Sequence, residues 1–166
     1  MDVFERLYSE NASFIKYYIL NICGSIHMAE DIVQETFYKT FLYIRRFEHV
    51  QINRQWLMKT AHNTFIDHYR RYKNDTGTIS FEALAEINHL GREIGIYAKS
   101  HEDSMMVNKV ISELPVNYRT IILLKDHYGF TIKEIVSILG YSDSNVKVIL
   151  HRARKHFREE YNKYEG

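Results

Sequence analysis

Apolar residues in the first seventy positions recur every three or four residues rather than alternating. Ile32, Val33, Phe37, Phe41 and Ile44 form one stripe. Trp56, Leu57, Ala61 and Phe65 form the next, with Thr60 and Thr64 on the same side. Such spacing puts each set on one face of a helix. The pattern predicts helices over about 2–22, 28–46 and 54–72, with a break at Gly24-Ser25 and a loop at 47–53. Residues 74–103 change character. Asp75-Thr76-Gly77-Thr78 opens them, Gly91 and Gly95 interrupt them, and they read as a linker with a short helix at 80–90.

A second helical unit begins near Met105. A helix over about 105–113 stops before Leu114-Pro115, and Pro115 fits the first turn of a helix over about 116–127. Two short helices around a tight turn follow. Thr131 and Glu134 form a capping box, Ile132, Ile135, Val136 and Leu139 share a face, Gly140 ends the first helix, and Ser142 caps the second. Val146, Leu150, Ala153 and Phe157 are spaced to pack inward, which leaves Lys147, Val148, His151, Arg152 and Lys155 outward. This is the helix-turn-helix pattern.

The expected fold is therefore all-α. Two small helical domains, 1–73 and 104–166, are joined by an acidic linker at 74–103, and the C-terminal one carries the helix-turn-helix. Units of this size bury modest cores, so two tethered bodies are expected rather than one large core.

Composition adds little to this picture, and charge adds more. Apolar residues are 45% and charged residues 26% of the 166, as in an ordinary globular protein. No run of apolar residues reaches membrane-spanning length. Met1-Asp2-Val3-Phe4-Glu5 shows no basic-then-apolar leader, and the single cysteine, Cys23, suits a reducing compartment, so a cytoplasmic location is expected. The formal net charge is only +1. It is unevenly placed: −4 over 1–38, +6 over 39–73, −4 over 74–103 and +3 over 104–166. The two basic segments are the ones that point to nucleic acid.

In the C-terminal unit the chemistry is that of duplex reading. Lys and Arg neutralise phosphates, and Lys, Arg or His reach base edges in the major groove. The N–H groups near Ser144 and Asn145, at the start of the second helix, suit a phosphate. In the N-terminal unit, Arg54, Trp56, Lys59, His62, Asn63, Phe65, Asp67, Tyr69, Arg70 and Arg71 mix aromatic and basic residues. That mixture suits single strands, where stacking contributes roughly 1–3 kcal/mol per base. Trp56 and Phe65 read better as core residues. Lys59, Asn63 and Asp67 share one face. Acidic residues at Glu30 and Asp31 suit a helix N-terminus.

Together these segments resemble a known family. They are Ala29-Glu30-Asp31-Ile32-Val33-Gln34-Glu35-Thr36-Phe37, Trp56-Leu57 with Ala61-His62-Asn63, Asp67-His68-Tyr69-Arg70-Arg71, Leu114-Pro115 with Tyr118-Arg119, and Val146-Lys147 with Leu150-His151-Arg152-Ala153-Arg154. In that order they resemble the extracytoplasmic-function (group IV) sigma factors of bacterial RNA polymerase. The resemblance implies that Asp31, Gln34, Glu35 and Phe37 dock on the polymerase clamp. It implies that Lys59, Asn63 and Asp67 read the −10 element as single strand, with Asn53, Trp56, Arg70 and Arg71 around them. The loop Phe47–Asn53 matches one that pockets a flipped base, and Lys147, Val148, His151 and Arg152 match the −35 reader of duplex DNA. The implied partners are core RNA polymerase, promoter DNA and an anti-sigma factor.

Two positions depart from the family pattern. Val148 and Ile149 stand where a small polar residue and an arginine are frequent, which leaves methyl-type contacts to thymine. Asp67 stands where some members have Asn, and its acceptor-only carboxylate favours a base amino donor. A regulator that binds DNA alone is the rival reading. No metal, cofactor or catalysis is expected: His62 and Asp67, like His151 and His156, lie five apart, not at the i, i+4 spacing of a helical zinc motif.

Overall fold

The computed structural model describes residues 1–71, 78–94 and 101–165. It contains α1 Val3–Cys23, α2 Ile26–Arg46, α3 Arg54–Arg71, α4 Phe81–Ile94, α5 His101–Glu113, α6 Val116–Ile122, α7 Ile132–Leu139 and α8 Asp143–Glu165. No strand occurs among the described residues. The helices begin where short polar side chains satisfy free N–H groups. Asp2 and Glu5 form a capping box on α1, and Thr131 and Glu134 form one on α7. Ser25 accepts from Met28 N, and Ser142 accepts from Asn145 N at 3.1 Å. α1 and α7 end on Gly24 and Gly140, both left-handed at φ 74°.

α1 is the centre of the molecule. Tyr17, Tyr18, Ile19, Leu20, Ile22 and Cys23 are all buried. A helix end buried on every side needs neighbours on every side, and α2, α3, α4 and α6 supply them. Each large apolar side chain taken fully from water contributes about 2 kcal/mol, and the resulting cluster runs without a break from Ile15 to Ala153. The two helical units therefore share one core, where the sequence reading gave each its own. Tyr128 shows how: its hydroxyl donates to Phe14 O at 2.6 Å, and its ring lies 4.5 Å from that of Phe14.

Other differences are local. The helix expected over 116–127 is α6 followed by a π-helical turn, Leu123–His127, in which Tyr128 N donates to Leu123 O at 2.9 Å. The second helix of the C-terminal motif is not short, since α8 has 23 residues. The helix in the expected linker is longer than 80–90, and Gly91 lies inside it rather than interrupting it. Asp75-Thr76-Gly77 and Gly95 fall outside the described residues. Arg119 is fully buried; its Nη1 donates to Leu114 O at 3.0 Å and Ser112 O at 3.3 Å, which ties the α5–α6 turn together. Burial lowers its pKa to about 10.

Candidate nucleic-acid interface

Three surfaces carry the residues singled out above. The first is the outer face of α2. Asp31 and Gln34 are exposed, and Asp31 lies 3.6 Å from His27 one turn back. Glu35 is half-buried and paired with side chains of its own chain. Its Oε2 lies 2.7 Å from His68 Nε2 on α3, and its Oε1 lies 3.8 Å from Lys39 Nζ. The hydrogen bond from His68 holds its carboxyl below the usual carboxylate range.

Phe37 does not belong on this surface. It is 3% exposed, with its ring 4.9 Å from Tyr8, so it packs α2 on α1 rather than standing beside Asp31 and Gln34. The next residue, Tyr38, is the exposed one. Asp31, Gln34, Glu35, Tyr38 and His68 line one open cleft of about 470 Å³. Sequence reasoning missed Tyr38 and His68. Tyr38 continues the outer stripe of Asp31 and Gln34 at helical spacing, which is a signal the sequence contains.

The second surface is α3. Lys59, Asn63, Asp67, Arg70 and Arg71 are all exposed along it. Asn53 caps the helix, accepting from Trp56 N at 2.9 Å. Trp56 is half-buried, its ring 4.9 Å from Tyr43, which in turn lies 4.7 Å from Phe47. The loop before α3 turns on His49, in the left-handed region at φ 59°. With Val3, Ile44, Phe47, Glu48 and Val50 it lines a recess of about 380 Å³. Beneath the face, His62 is 2.8 Å from the Tyr18 hydroxyl, and burial lowers its pKa to about 4. Lys39 Nζ donates to Thr64 Oγ1 at 2.9 Å, a second tie between α2 and α3.

The third surface is the start of α8. Val146, Leu150 and Ala153 are buried, so Ser144, Asn145, Lys147, Val148, His151, Arg152 and Lys155 all face outward as the spacing predicts. Lys147 Nζ lies 2.8 Å from Asp143 Oδ1. Arg154 turns the other way, and its Nε donates to Asp126 Oδ2 on the π-helical turn at 3.0 Å.

A basic outer face on a capped second helix fits the major groove, and an exposed row of Lys, Asn and Asp on α3 fits unpaired bases. Comparison with known proteins bears on both. The model of Sigma-70 region 2 matches residues 7–74, and that of Sigma-70, region 4 matches 104–157. Over 159 residues the chain is 29% identical to the ECF RNA polymerase sigma factor SigM of Bacillus subtilis, covering 96% of this chain and 95% of that one. It is 33% identical to SigW of the same organism over 147 residues, covering 82% and 77%. The chain belongs to the ECF RNA polymerase sigma factors. As a sigma factor it binds core RNA polymerase and promoter DNA and directs promoter-specific transcription.

Solved structures agree on the fold of this sigma factor. The RpoE of Bartonella quintana, crystallised with the anti-sigma factor NepR, superposes with a TM-score of 0.70 at 20% identity, covering 98% of both chains. CnrH, solved with the cytosolic domain of CnrY, gives 0.59 over 96% of this chain and 88% of its own. No helix among the described residues is long and apolar enough to cross a membrane, and no cluster of side chains there is arranged to hold a metal.

Proposed function

We propose a division of labour among the three surfaces. The exposed face of α2, with Asp31, Gln34 and the His68-tethered Glu35, docks on core polymerase. Lys59, Asn63 and Asp67 on α3 read the −10 element as single strand, flanked by Asn53, Arg70 and Arg71, with Trp56 supporting the recess. Ser144, Asn145, Lys147, Val148, His151, Arg152 and Lys155 read the −35 element as duplex. Residues 1–73 and 104–166 are the two functional domains, and 74–103 joins them.

The observation that carries this reading is that both rows of readers stand exposed on outer helix faces, each backed by buried residues of its own helix. Flipping a base costs a few kcal/mol, which a stacking and hydrogen-bonding recess offsets. RNA synthesis belongs to the polymerase, so the chain itself catalyses nothing. An anti-sigma factor is its regulator, a reading supported by the likeness to RpoE, solved with the anti-sigma factor NepR. Its location is the cytoplasm, where the polymerase is.

The test is transcription in vitro with purified core polymerase and a library of genomic promoters. Promoter-specific transcripts are expected, and none would sink the reading. A regulator acting alone would instead bind its DNA tightly and specifically without polymerase. Asp31→Arg with Gln34→Ala is expected to weaken polymerase binding by about tenfold or more, since removing one side of a charged contact costs several kcal/mol. Helical circular dichroism should not change; unaltered binding would reject the docking assignment.

A further inference from the structure

One apolar side chain stands in the middle of the exposed polar row on α8, and helical geometry fixes its position. Successive residues of a helix are turned by about 100°. Val146 and Leu150 are both buried, and Val148 is two residues from each, so its side chain points about 160° away from theirs. It therefore stands at the crest of the outer face, and it is 45% exposed. Ser144 and Asn145 lie one turn before it and His151 and Arg152 one turn after, all exposed.

Its neighbours in sequence lie on the flanks. Lys147 is turned about 100° to one side, where its Nζ is 2.8 Å from Asp143 Oδ1. Ile149 is turned as far to the other side, half-buried and packed against the core. Val148 and Ile149, taken together above as methyl contacts, are thus separated: only Val148 is on the face.

The chemistry at the crest is restrictive. Valine neither donates nor accepts a hydrogen bond. Pressed onto a base edge, it strips water from that edge and leaves any donor or acceptor there unsatisfied, which is costly. In the major groove guanine shows acceptors, adenine an acceptor and a donor, and cytosine a donor. Thymine alone carries an apolar group there, the 5-methyl beside its O4 acceptor. The polar side chains one turn away can bond neighbouring bases and phosphates, so they set the pose while Val148 sets the base.

We infer that Val148 is a specificity-determining residue of the −35 contact, and that it selects a thymine by its 5-methyl group. This rests on the −35 role proposed for α8 above.

Deoxyuridine is the probe, because it keeps every hydrogen-bonding atom of thymidine and removes only the methyl. The full chain is bound to core polymerase. A promoter that it transcribes is remade with each −35 thymine in turn, on either strand, replaced by deoxyuridine. At one position uracil is expected to weaken promoter binding by about fourfold, the worth of one buried methyl. Val148→Ala, a change that an exposed helix position accommodates, should bring the thymine-to-uracil ratio at that position below about twofold. Ile149→Val should leave the ratio as it is. A −35 element without a sensitive thymine overturns the inference. So does a full ratio in Val148→Ala, or loss of the ratio in Ile149→Val. A complex that still transcribes from the promoter after any base change in the −35 element would sink the −35 role of α8 itself, and this inference with it.

Discussion

Two turns in this protein are built alike and do different work. Each ends a helix on a glycine at φ 74° and starts the next with a serine cap, Gly24 with Ser25 and Gly140 with Ser142. A Cβ on Gly140 would meet nothing within 4 Å. A Cβ on Gly24 would stand 2.2 Å from Thr78 O, because the backbone entering α4 crosses directly over it. The first turn is buried, and the distant segment that leads into α4 lies across it. The second only joins α7 to α8, with nothing packed across it. Identical local chemistry therefore says where a chain turns, not what crosses the turn.

The largest expected effect asks whether the regions holding these turns form one energetic body. His62 lies in the N-terminal unit and His127 on the π-helical turn of the C-terminal one, and burial lowers both to about 4. In the unfolded chain each titrates near 6.5, so between these values the unfolded state binds more protons. Stability is then fully present above about pH 6.5 and falls as the pH drops toward 4, by at most about 3 kcal/mol for each histidine. With one core, urea titrations across this range should show a single transition by far-ultraviolet and near-ultraviolet circular dichroism. Two separated transitions would break the shared core.

Gly24→Ala comes next. The left-handed backbone costs a β-carbon roughly 1–2 kcal/mol, and the Thr78 oxygen cannot move like a flexible side chain, so a total of about 3 kcal/mol is expected. Urea midpoints measure it. Hydrogen exchange at Ser80 N, which donates to Gly24 O, should quicken beyond what the global loss explains. A cost no greater than that of Gly140→Ala would erase the difference between the turns.

The sequence made the turns legible because their determinants are neighbours. The capping box at Thr131 and Glu134, the left-handed Gly140 and the cap at Ser142 all act within four residues, and all form as the pattern predicts. The outward row on α8 followed from the same periodicity. What stayed hidden depends on residues far apart. Thr78 crosses Gly24 from 54 positions away, and His68 reaches Glu35 from 33 away.

Phe37 fell on the wrong side because the family motif names a string, while burial is decided residue by residue. The single core was in part readable, since Tyr17 to Cys23 is apolar on all faces but for Asn21, and such a run demands neighbours all round. The π-helical turn was not, because one extra residue shifts the period after it without leaving a mark in composition.

Gly140→Ala is the smallest change and the control for the rest. Nothing crowds the position, so only the left-handed backbone charges for the new carbon, about 1 kcal/mol, which lowers Tm by about 3 °C in a chain of this size. The angle between α7 and α8 is held independently by Ile135, Ile138, Val146 and Leu150, all buried between the two helices and the core. Promoter binding by the polymerase complex should therefore stay within about twofold of wild type, since buried packing rather than the turn sets the pose of the reading face. A loss near 3 kcal/mol at Gly140 would mean that the left-handed backbone alone carries the cost at both turns. The Thr78 oxygen would then contribute nothing at Gly24, and the linker would merely pass over that turn.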